Sequence, residues 1–367
     1  MSEKIKVGIL FGGKSAEHEI SIMSAKNIID AIDRDKYQIF PIGITKKGKW
    51  CIGRSAELML EGGNASKQDD ISGSDMLALV PGETESNIIN LADSENTPGV
   101  NVIFPVLHGP MGEDGTVQGL LKLAGIPFVG SGVLGSSVGM DKDVMKRLFR
   151  DSGIPIGKFK VILSHEKDEV KFDEIAEELG LPIFIKPANM GSSVGVHKVS
   201  NREEFDVALN DAFCFDRKVI AEEFIKGREI ECAILGNEDP IASVPGEICT
   251  QHDFYSYNAK YIDESGAVLN IPADLPEETK EEIRELAIRS FKSLCCEGLA
   301  RVDSFLKDDG SIVVNEVNTI PGFTSISMYP MLFKESGISY SELIDRLISL
   351  AIERHSKEKL LKTDYSK

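Results

Sequence analysis

Two consecutive strands that should be apolar throughout carry four polar residues at alternate positions, and this constrains the chain more than any other feature. From Leu299 to Ser327 the sequence reads LARVDSFLKDDGSIVVNEVNTIPGFTSIS. An apolar strand (Leu299 to Leu306), a turn at Asp308-Asp309-Gly310 and a β-branched strand (Ser311 to Val317) predict a hairpin. Because side chains alternate across a strand, Arg301 and Asp303 share one face of the first strand, and Glu316 and Asn318 share one face of the second. One cation and three oxygen ligands then face one another. Two carboxylates and an amide oxygen are hard ligands, suited to Mg²⁺ held partly by substrate phosphates rather than to zinc. The competing reading is a surface hairpin whose charges are merely solvated. Against it stands the continuation Asn318-Thr319-Ile320-Pro321-Gly322, a turn that leads into a serine-rich loop instead of more strand.

A chain of 367 residues exceeds one comfortable core, so two or three domains are expected. Its formal net charge of −18 argues against a nucleic-acid partner, because no basic stripe is present to meet a phosphate backbone. An anionic nucleotide would have to be met by local lysines and magnesium. No apolar run approaches the roughly 20 residues of a membrane span. The Met-Ser-Glu-Lys start leads at once into a strand and does not read as a signal peptide, so no membrane association and a cytoplasmic location are expected. Six scattered cysteines lack metal-ligand spacing and read as reduced, mostly buried thiols.

At the amino end, a buried strand over residues 5–10, the glycine-containing loop Phe11 to Glu19 and a helix from near Ser21 open a doubly wound α/β domain, whose ligands sit beyond the carboxyl ends of the strands. Further strands are predicted at Gln38–Ile44, Val102–Leu107 and Pro127–Val129, with a helix at Thr116–Leu123. The glycines do not match GxGxxG, which weakens a dinucleotide reading. Residues 45–98 are polar with little periodicity and read largely as an insertion. His108-Gly-Pro-Met-Gly-Glu-Asp-Gly115 places a histidine and two acids in a glycine-rich loop at a strand end. His108 is either a substrate contact or a satisfied structural histidine. A helix from Asp141 to Asp151, with Asp141 as N-cap and Gly153 as its stop, carries Lys142 and Lys146 on one face. A first domain boundary falls near Met140.

The strand Pro182 to Pro187 carries Lys186 straight after apolar residues, which is costly unless an anion meets it. Gly191-Ser-Ser-Val-Gly195 then offers backbone N–H groups and two hydroxyls to phosphate oxygens, although an ordinary hairpin would look similar. After a helix capped by Asn201, strands follow at Val219–Phe224 and Arg228–Leu235. Ala221 to Ile225 offers backbone hydrogen bonds to an adenine edge, and Glu229 is placed to hold ribose hydroxyls. Pro245 to Gly266, with Tyr255, Tyr257, Lys260 and Tyr261, reads as a long functional loop, and residues 246–265 as a mobile lid. An amphipathic helix (Pro276 to Cys296) feeds the hairpin. A last helix runs from Tyr340 to about Arg354, burying Leu343, Ile344, Leu347 and Leu350, and the chain frays after His355.

Taken in order, Phe11-Gly-Gly-Lys-Ser-Ala-Glu17, His108 to Gly115, Met140-Asp-Lys142, Lys186-Pro-Ala-Asn-Met-Gly-Ser-Ser193, Ala259-Lys-Tyr261, Arg301-Val-Asp303 and Asn315 to Gly322 resemble the D-alanine–D-alanine ligases of the ATP-grasp superfamily, over essentially the whole chain. The resemblance implies an α/β protein of three-domain ATP-grasp architecture: an N-terminal doubly wound domain (1–140), a central ATP-grasp subdomain (141–228) and a C-terminal one (229–367) carrying lid and metal site. It implies an ADP-forming ligase that uses ATP to join two D-alanines for peptidoglycan synthesis, and so for cell-wall biogenesis and cell shape, acting as a homodimer. Carried over by position, Glu17 would hold the amino group of the first D-alanine, with Ser192 and Tyr261 completing a hydrogen-bonded triad, and His108 would lie near that substrate. Lys142, Lys186 and Lys260 would contact the nucleotide phosphates, and Glu222, Phe224, Ile225 and Glu229 would form the adenosine pocket. Asp303, Glu316 and Asn318 would bind two Mg²⁺ ions, with Mn²⁺ as an alternative. Arg301 and the Gly322 backbone would hold the oxyanion, and Ser327 the second carboxylate. Departures from the family pattern are confined to Ile320 and residues 45–98.

The chemistry is consistent with these residue types. A carboxylate repels a nucleophile, so an amide bond between free amino acids requires its oxygen to leave as phosphate. Lysines and magnesium neutralise charge during the transfer, and no side-chain nucleophile is needed, in keeping with the lack of a Ser-His-Asp or Cys-His set. Three other readings compete: a ligase taking D-lactate or D-serine second, an oxidoreductase built on the first domain, and a non-catalytic nucleotide-binding protein. The second lacks a dinucleotide fingerprint and leaves Asp303, Glu316 and Asn318 without a use, and the intact metal set speaks against the third.

Overall fold

The computed structural model describes residues 3–62, 72–82, 87–92, 99–250, 267–362 and 364–365. The amino-terminal part is built of β1 (Ile5–Gly12), α1 (His18–Ala31), β2 (Tyr37–Ile44), β3 (Trp50–Cys51), α2 (Gly53–Leu60), β4 (Leu77–Leu79), β5 (Ile88–Asn90), β6 (Val102–Val106), α3 (Thr116–Leu123) and α4 (Val133–Met140). The sheet order is β3-β2-β1-β6, with β2 and β6 parallel to β1 and β3 antiparallel at the edge. The last six residues of β1 are buried, as expected for a parallel strand covered on both faces. At Gly12, with φ +93°, an added Cβ would stand 2.2 Å from the Ile44 carbonyl oxygen, so only glycine ends this strand and turns toward α1.

Three expectations change here. Pro127–Val129 contributes only an isolated parallel bridge, Ile103 to Phe128, because Pro127 has no N–H to extend the ladder. Helix α1 begins at His18, three residues early, because Glu17 at its N-cap makes no side-chain cap hydrogen bond and leaves no capping signature to read. Residues 45–98 are more than an insertion: their described part holds β3, α2 and the antiparallel β4–β5 pair.

The central part comprises α5 (Lys142–Asp151), β7 (Phe159–Leu163), α6 (Phe172–Leu179), β8 (Ile183–Pro187), β9 (His197–Val199), α7 (Arg202–Ala212) and β10 (Lys218–Glu223). Its antiparallel sheet has the order β7-β10-β8-β9. Ile183, Ile185 and Val219 pack beneath Ile175, Phe205 and Leu209 of the two helices. Asn201 caps α7 by accepting from the Glu204 N–H at 3.0 Å, and Glu204 reaches back to the Ser200 N–H at 2.7 Å.

The last part comprises β11 (Arg228–Gly236), β12 (Ile241–Ala242), β13 (Gly246–Thr250), β14 (Ala267–Asn270), α8 (Glu277–Ser293), β15 (Gly298–Leu306), β16 (Ile312–Asn318), α9 (Met328–Glu335) and α10 (Tyr340–Lys359). Its sheet runs β14-β13-β11-β15-β16. Residues 246–250, expected within a loop, form strand β13: Ile248 is buried, and Arg228 on β11 holds Glu247 through two hydrogen bonds of 2.7 and 2.8 Å. Residues 251–266, where the rest of the expected lid falls, lie outside the described residues.

α10 extends to Lys359, past the expected end. The buried Arg354 guanidinium donates to the carbonyls of Phe128, at 2.8 Å, and Gly130, which anchors the helix beyond His355. Its buried face is Leu343, Ile344, Leu347, Ile348 and Ala351, with Leu350 only partly covered. These residues share one core with β1 and β6, in which Phe323 packs edge-on against Phe104 with ring centroids 5.9 Å apart. Of the six free cysteines, Cys51, Cys232 and Cys296 are buried, whereas Cys214 and Cys295 are exposed and Cys249 is intermediate, so burial is less general than expected.

Candidate active site

The hairpin places its four polar residues as alternation requires. In the β15–β16 register Arg301 lies opposite Asn318 and Asp303 opposite Glu316. The Arg301 guanidinium donates to both oxygens of Asp303 at 2.7 Å, and Asn318 Nδ2 donates to Asp303 Oδ2 at 2.9 Å. A fifth polar residue completes the group. Glu231 on β11 is paired with Asp303 in register, and its Oε2 stands 3.0 Å from Arg301 Nε. Burial alone would lower the affinity of Arg301 for its proton, but Asp303 and Glu231 raise it well above its ordinary value. The ladder slips by one residue between Asp303 and Ser304, leaving Asn315 as a bulge, and its carbonyl accepts from Lys146 Nζ at 3.4 Å.

Helix α5 supplies cations to the same region. Asp141 caps it, accepting from the Val144 N–H at 3.1 Å, and so sets the direction of the first turn. Lys142 Nζ lies 3.3 Å from Glu316 Oε2 and donates to the Met190 carbonyl at 2.8 Å. One turn on, Lys146 pairs with Glu222 of β10, whose other oxygen accepts from Lys186 of β8 at 2.6 Å. Burial would raise the Glu222 pKa, but the two ammonium groups lower it to about 2. Burial would likewise lower that of Lys186, yet Glu222, with Glu316 and Glu229 behind it, raises it.

Downstream of Lys186, the loop joins the antiparallel strands β8 and β9, as the hairpin reading has it, and within it Ser192 and Ser193 adopt left-handed backbone, φ +49° and +58°. At the far end of β10, Phe224 is exposed and Ile225 half-buried, with the Phe224 ring 6.1 Å from that of Phe184 and the Lys198 ammonium 4.7 Å above it. A partly exposed aromatic ring thus follows two residues after Glu222.

A third cluster gathers at the carboxyl ends of β1 and β6. Glu17 is buried and accepts a hydrogen bond from the Ser192 hydroxyl, joining chain segments 175 positions apart. Gly109 closes over it: a Cβ there would stand 2.9 Å from Ser15 Oγ and 3.1 Å from Glu17 Oε2. His108 and Glu113 both make backbone hydrogen bonds to Ile320, and Glu113 also accepts from the Gly109 N–H at 2.6 Å. Burial pushes Glu113 up to about 8, with the Glu17 charge adding to it. Burial lowers the His108 pKa, and its Nε2 has no hydrogen-bond partner among the described residues. Two residues beyond Ile320, a Cβ on Gly322 would lie 2.8 Å from Ser327 Oγ, so the Gly322 backbone and Ser327 are neighbours.

Of the residues singled out from sequence, the structure therefore joins Arg301, Asp303, Glu316, Asn318 and Lys142 in one cluster, Lys186 with Glu222 in a second, and Glu17, Ser192 and His108 in a third. Lys260 and Tyr261 lie outside the described residues. Sequence reading missed Glu231 and gave no task to Lys146 or Glu113. The alternate acids Glu229 and Glu231 in an otherwise apolar strand were the available signal for the first.

A four-stranded parallel-based sheet followed by two antiparallel sheets, with lysines of α5 and β8 converging on acids of β10 and β16, is the arrangement of an ATP-grasp ligase. Family models described as D-ala D-ala ligase N-terminus and D-ala D-ala ligase C-terminus match residues 6–131 and 148–349. The chain is 54% identical over 363 residues to the D-alanine–D-alanine ligase of Oceanobacillus iheyensis, covering 99% of each chain. It is 49% identical to D-alanine–D-alanine ligase A of Escherichia coli over 98% of this chain and 99% of the relative. Among solved structures, the D-alanine-D-alanine ligase from Coxiella burnetii superimposes with a TM-score of 0.86 at 37% identity, over 98% of this chain and 97% of that one. The VanG D-Ala:D-Ser ligase from Enterococcus faecalis gives 0.83 at 38% identity, over 95% and 100%. The chain belongs to the D-alanine–D-alanine ligase family.

Proposed function

We propose that this enzyme joins two molecules of D-alanine to D-alanyl-D-alanine at the expense of ATP, supplying the dipeptide for peptidoglycan. The observation that carries this reading is the Glu17–Ser192 hydrogen bond, which sets an amino-group acceptor from the first sheet against the loop that follows Lys186. Glu17 holds the ammonium of the first D-alanine. The buried and unsatisfied Nε2 of His108 gives that substrate a second polar contact. Lys142 and Lys186 neutralise nucleotide phosphates as the carboxylate is phosphorylated, and Glu222, Phe224, Ile225 and Glu229 take the adenosine. The amine of the second D-alanine then attacks the acylphosphate, phosphate leaves, and Arg301 with the Gly322 N–H meets the oxyanion while Ser327 binds the second carboxylate. Lys260 and Tyr261 are assigned to the phosphates and to the Glu17–Ser192 pair by family position.

Use of ATP with a divalent metal follows from the family, and we assign Mg²⁺ in particular. Among the described residues no group of three or more His, Cys, Asp or Glu side chains is placed to hold a metal; the donors assigned here are two carboxylates and an amide. Asp303, Glu316 and Asn318 all offer oxygen, as a hard cation requires, and an ion seated there would replace Arg301 and Lys142 as counter-charge to the two carboxylates. A bound ion there supplies charge neutralisation to the nucleotide phosphates. The division at residues 140 and 228, a homodimer and a cytoplasmic site of action are further parts of this reading. The last is supported by the lack, among the described residues, of a helix long and apolar enough to cross a membrane. Incubation with ATP and D-alanine, scored for ADP and dipeptide together, tests the reading; ADP without dipeptide would overturn it.

A further inference from the structure

Glu222 is a carboxylate with two cations, and the two are not equivalent. Lys146 is 2% exposed and enclosed by three elements: its ammonium meets Glu222 Oε1 on β10, lies 3.4 Å from the bulge carbonyl of Asn315 on β16, and stands 6.0 Å from the Phe159 ring on β7. Lys186 is 16% exposed, meets Glu222 Oε2 at 2.6 Å, and sits at the end of β8 next to the loop of Ser192 and Ser193. One ammonium is built in and the other borders the loop suited to phosphate. We propose that Lys146 is a positioning residue: the fixed counter-ion of Glu222, which keeps that buried carboxylate compensated when Lys186 leaves it for the nucleotide phosphates.

The argument is one of charge. A buried carboxylate with a single cation holds that cation tightly, because separating the pair leaves an uncompensated buried charge. A carboxylate already neutralised by a second, immobile ammonium gives up the first at far smaller cost. In the present structure Glu222 with Lys146 and Lys186 sums to one positive charge, and that excess is what an incoming phosphate can draw on. The low pKa of Glu222, about 2, is consistent with a carboxylate that stays ionised throughout. Lys142, one turn earlier on the same helix, faces Glu316 instead and does not substitute for Lys146.

This inference rests on the reading of Lys186 as a phosphate contact, and the experiment separates the two. Binding of ADP and of adenosine is measured calorimetrically for the wild type, Lys146→Met, Lys146→Arg and Lys186→Met. With Lys146→Met, Lys186 stays on Glu222, so ADP affinity is expected to fall roughly tenfold or more while adenosine affinity changes little. Lys146→Arg keeps the charge and should keep the wild-type ratio of ADP to adenosine affinity. A purely structural role would weaken both ligands alike and would overturn the proposal. If Lys186→Met lowers the ratio and Lys146→Met does not, the counter-ion role alone fails; if Lys186→Met leaves the ratio unchanged, the phosphate reading fails as well. Should Lys146→Met not fold, a crystal structure of the wild-type protein with ADP decides: Lys146 still on Glu222 with Lys186 moved to the phosphates supports the role, and Lys186 still on Glu222 overturns it.

Discussion

Replacing Glu113 by glutamine should remove a pH dependence from the stability of this protein. Glu113 is half-buried near Glu17, accepts N–H groups of Gly109 and Ile320, and has its pKa raised from 4.5 to about 8. A raised carboxyl pKa means that the folded state binds more protons than the unfolded state between pH 4.5 and 8. Stability is thus fully present below pH 4.5 and lost as pH rises through about 8. At about 1.4 kcal/mol per pKa unit the shift corresponds to an upper bound on the order of 4–5 kcal/mol. The part of that shift lying between pH 6 and pH 8.5 is about two pKa units, on the order of 3 kcal/mol as an upper bound. At about 2 °C per kcal/mol for a chain of this size, the wild-type Tm should drop by up to about 5 °C more than that of Glu113→Gln between pH 6 and pH 8.5. Glutamine has one accepting oxygen, so the variant should lose on the order of 1 kcal/mol at every pH, an offset that cancels in this difference. Differential scanning fluorimetry across that pH range is the assay. Parallel Tm curves for the two proteins would refute the reasoning.

Glu316→Gln removes one charge from the proposed metal-binding set while keeping shape at a quarter-exposed position, so turnover should fall by roughly 100-fold with Tm nearly unchanged; ADP release across a magnesium titration checks this, and near-normal rates at ordinary magnesium would contradict it. Ser192→Ala deletes the hydroxyl that donates to Glu17, a loss on the order of 1 kcal/mol that should raise the KM of the first D-alanine about fivefold; an unchanged KM speaks against the pairing. Asp141→Ala removes both the cap of α5 and the 2.6 Å ion pair to Lys218, and should cost about 1–2 kcal/mol in chemical denaturation. A midpoint equal to that of the wild type would show that neither contact matters.

Much of this site is legible because alternation and capping are local. Arg301, Asp303, Glu316 and Asn318 interrupt apolar strands at two-residue spacing, and Asp141 precedes a helix whose lysines recur each turn, so both patterns can be read along the chain. Glu231 escapes because its relation to Asp303 is a matter of which strands pair, and β11 is separated from β15 by β12 to β14 and α8. Lys146 reads as one more polar position of a helix; only the packing of β10 and the bulge at Asn315 over it makes it a buried ammonium. Glu113 sits in a glycine-rich run that suggests solvent, yet the Ile320 turn, some two hundred residues on, covers it. The same dependence on distant partners explains α10, where Arg354 reaches carbonyls of the first sheet's edge and holds a turn that composition alone marks as frayed.

The central claim is the joining of two D-alanines, and it is tested most directly by giving the purified enzyme ATP and D-alanine together with equal D-serine and D-lactate, then identifying every product by mass. The account predicts one D-alanyl-D-alanine per ADP, with mixed products a small minority. Predominant D-alanyl-D-serine or D-alanyl-D-lactate, or ADP released without any dipeptide, would contradict it.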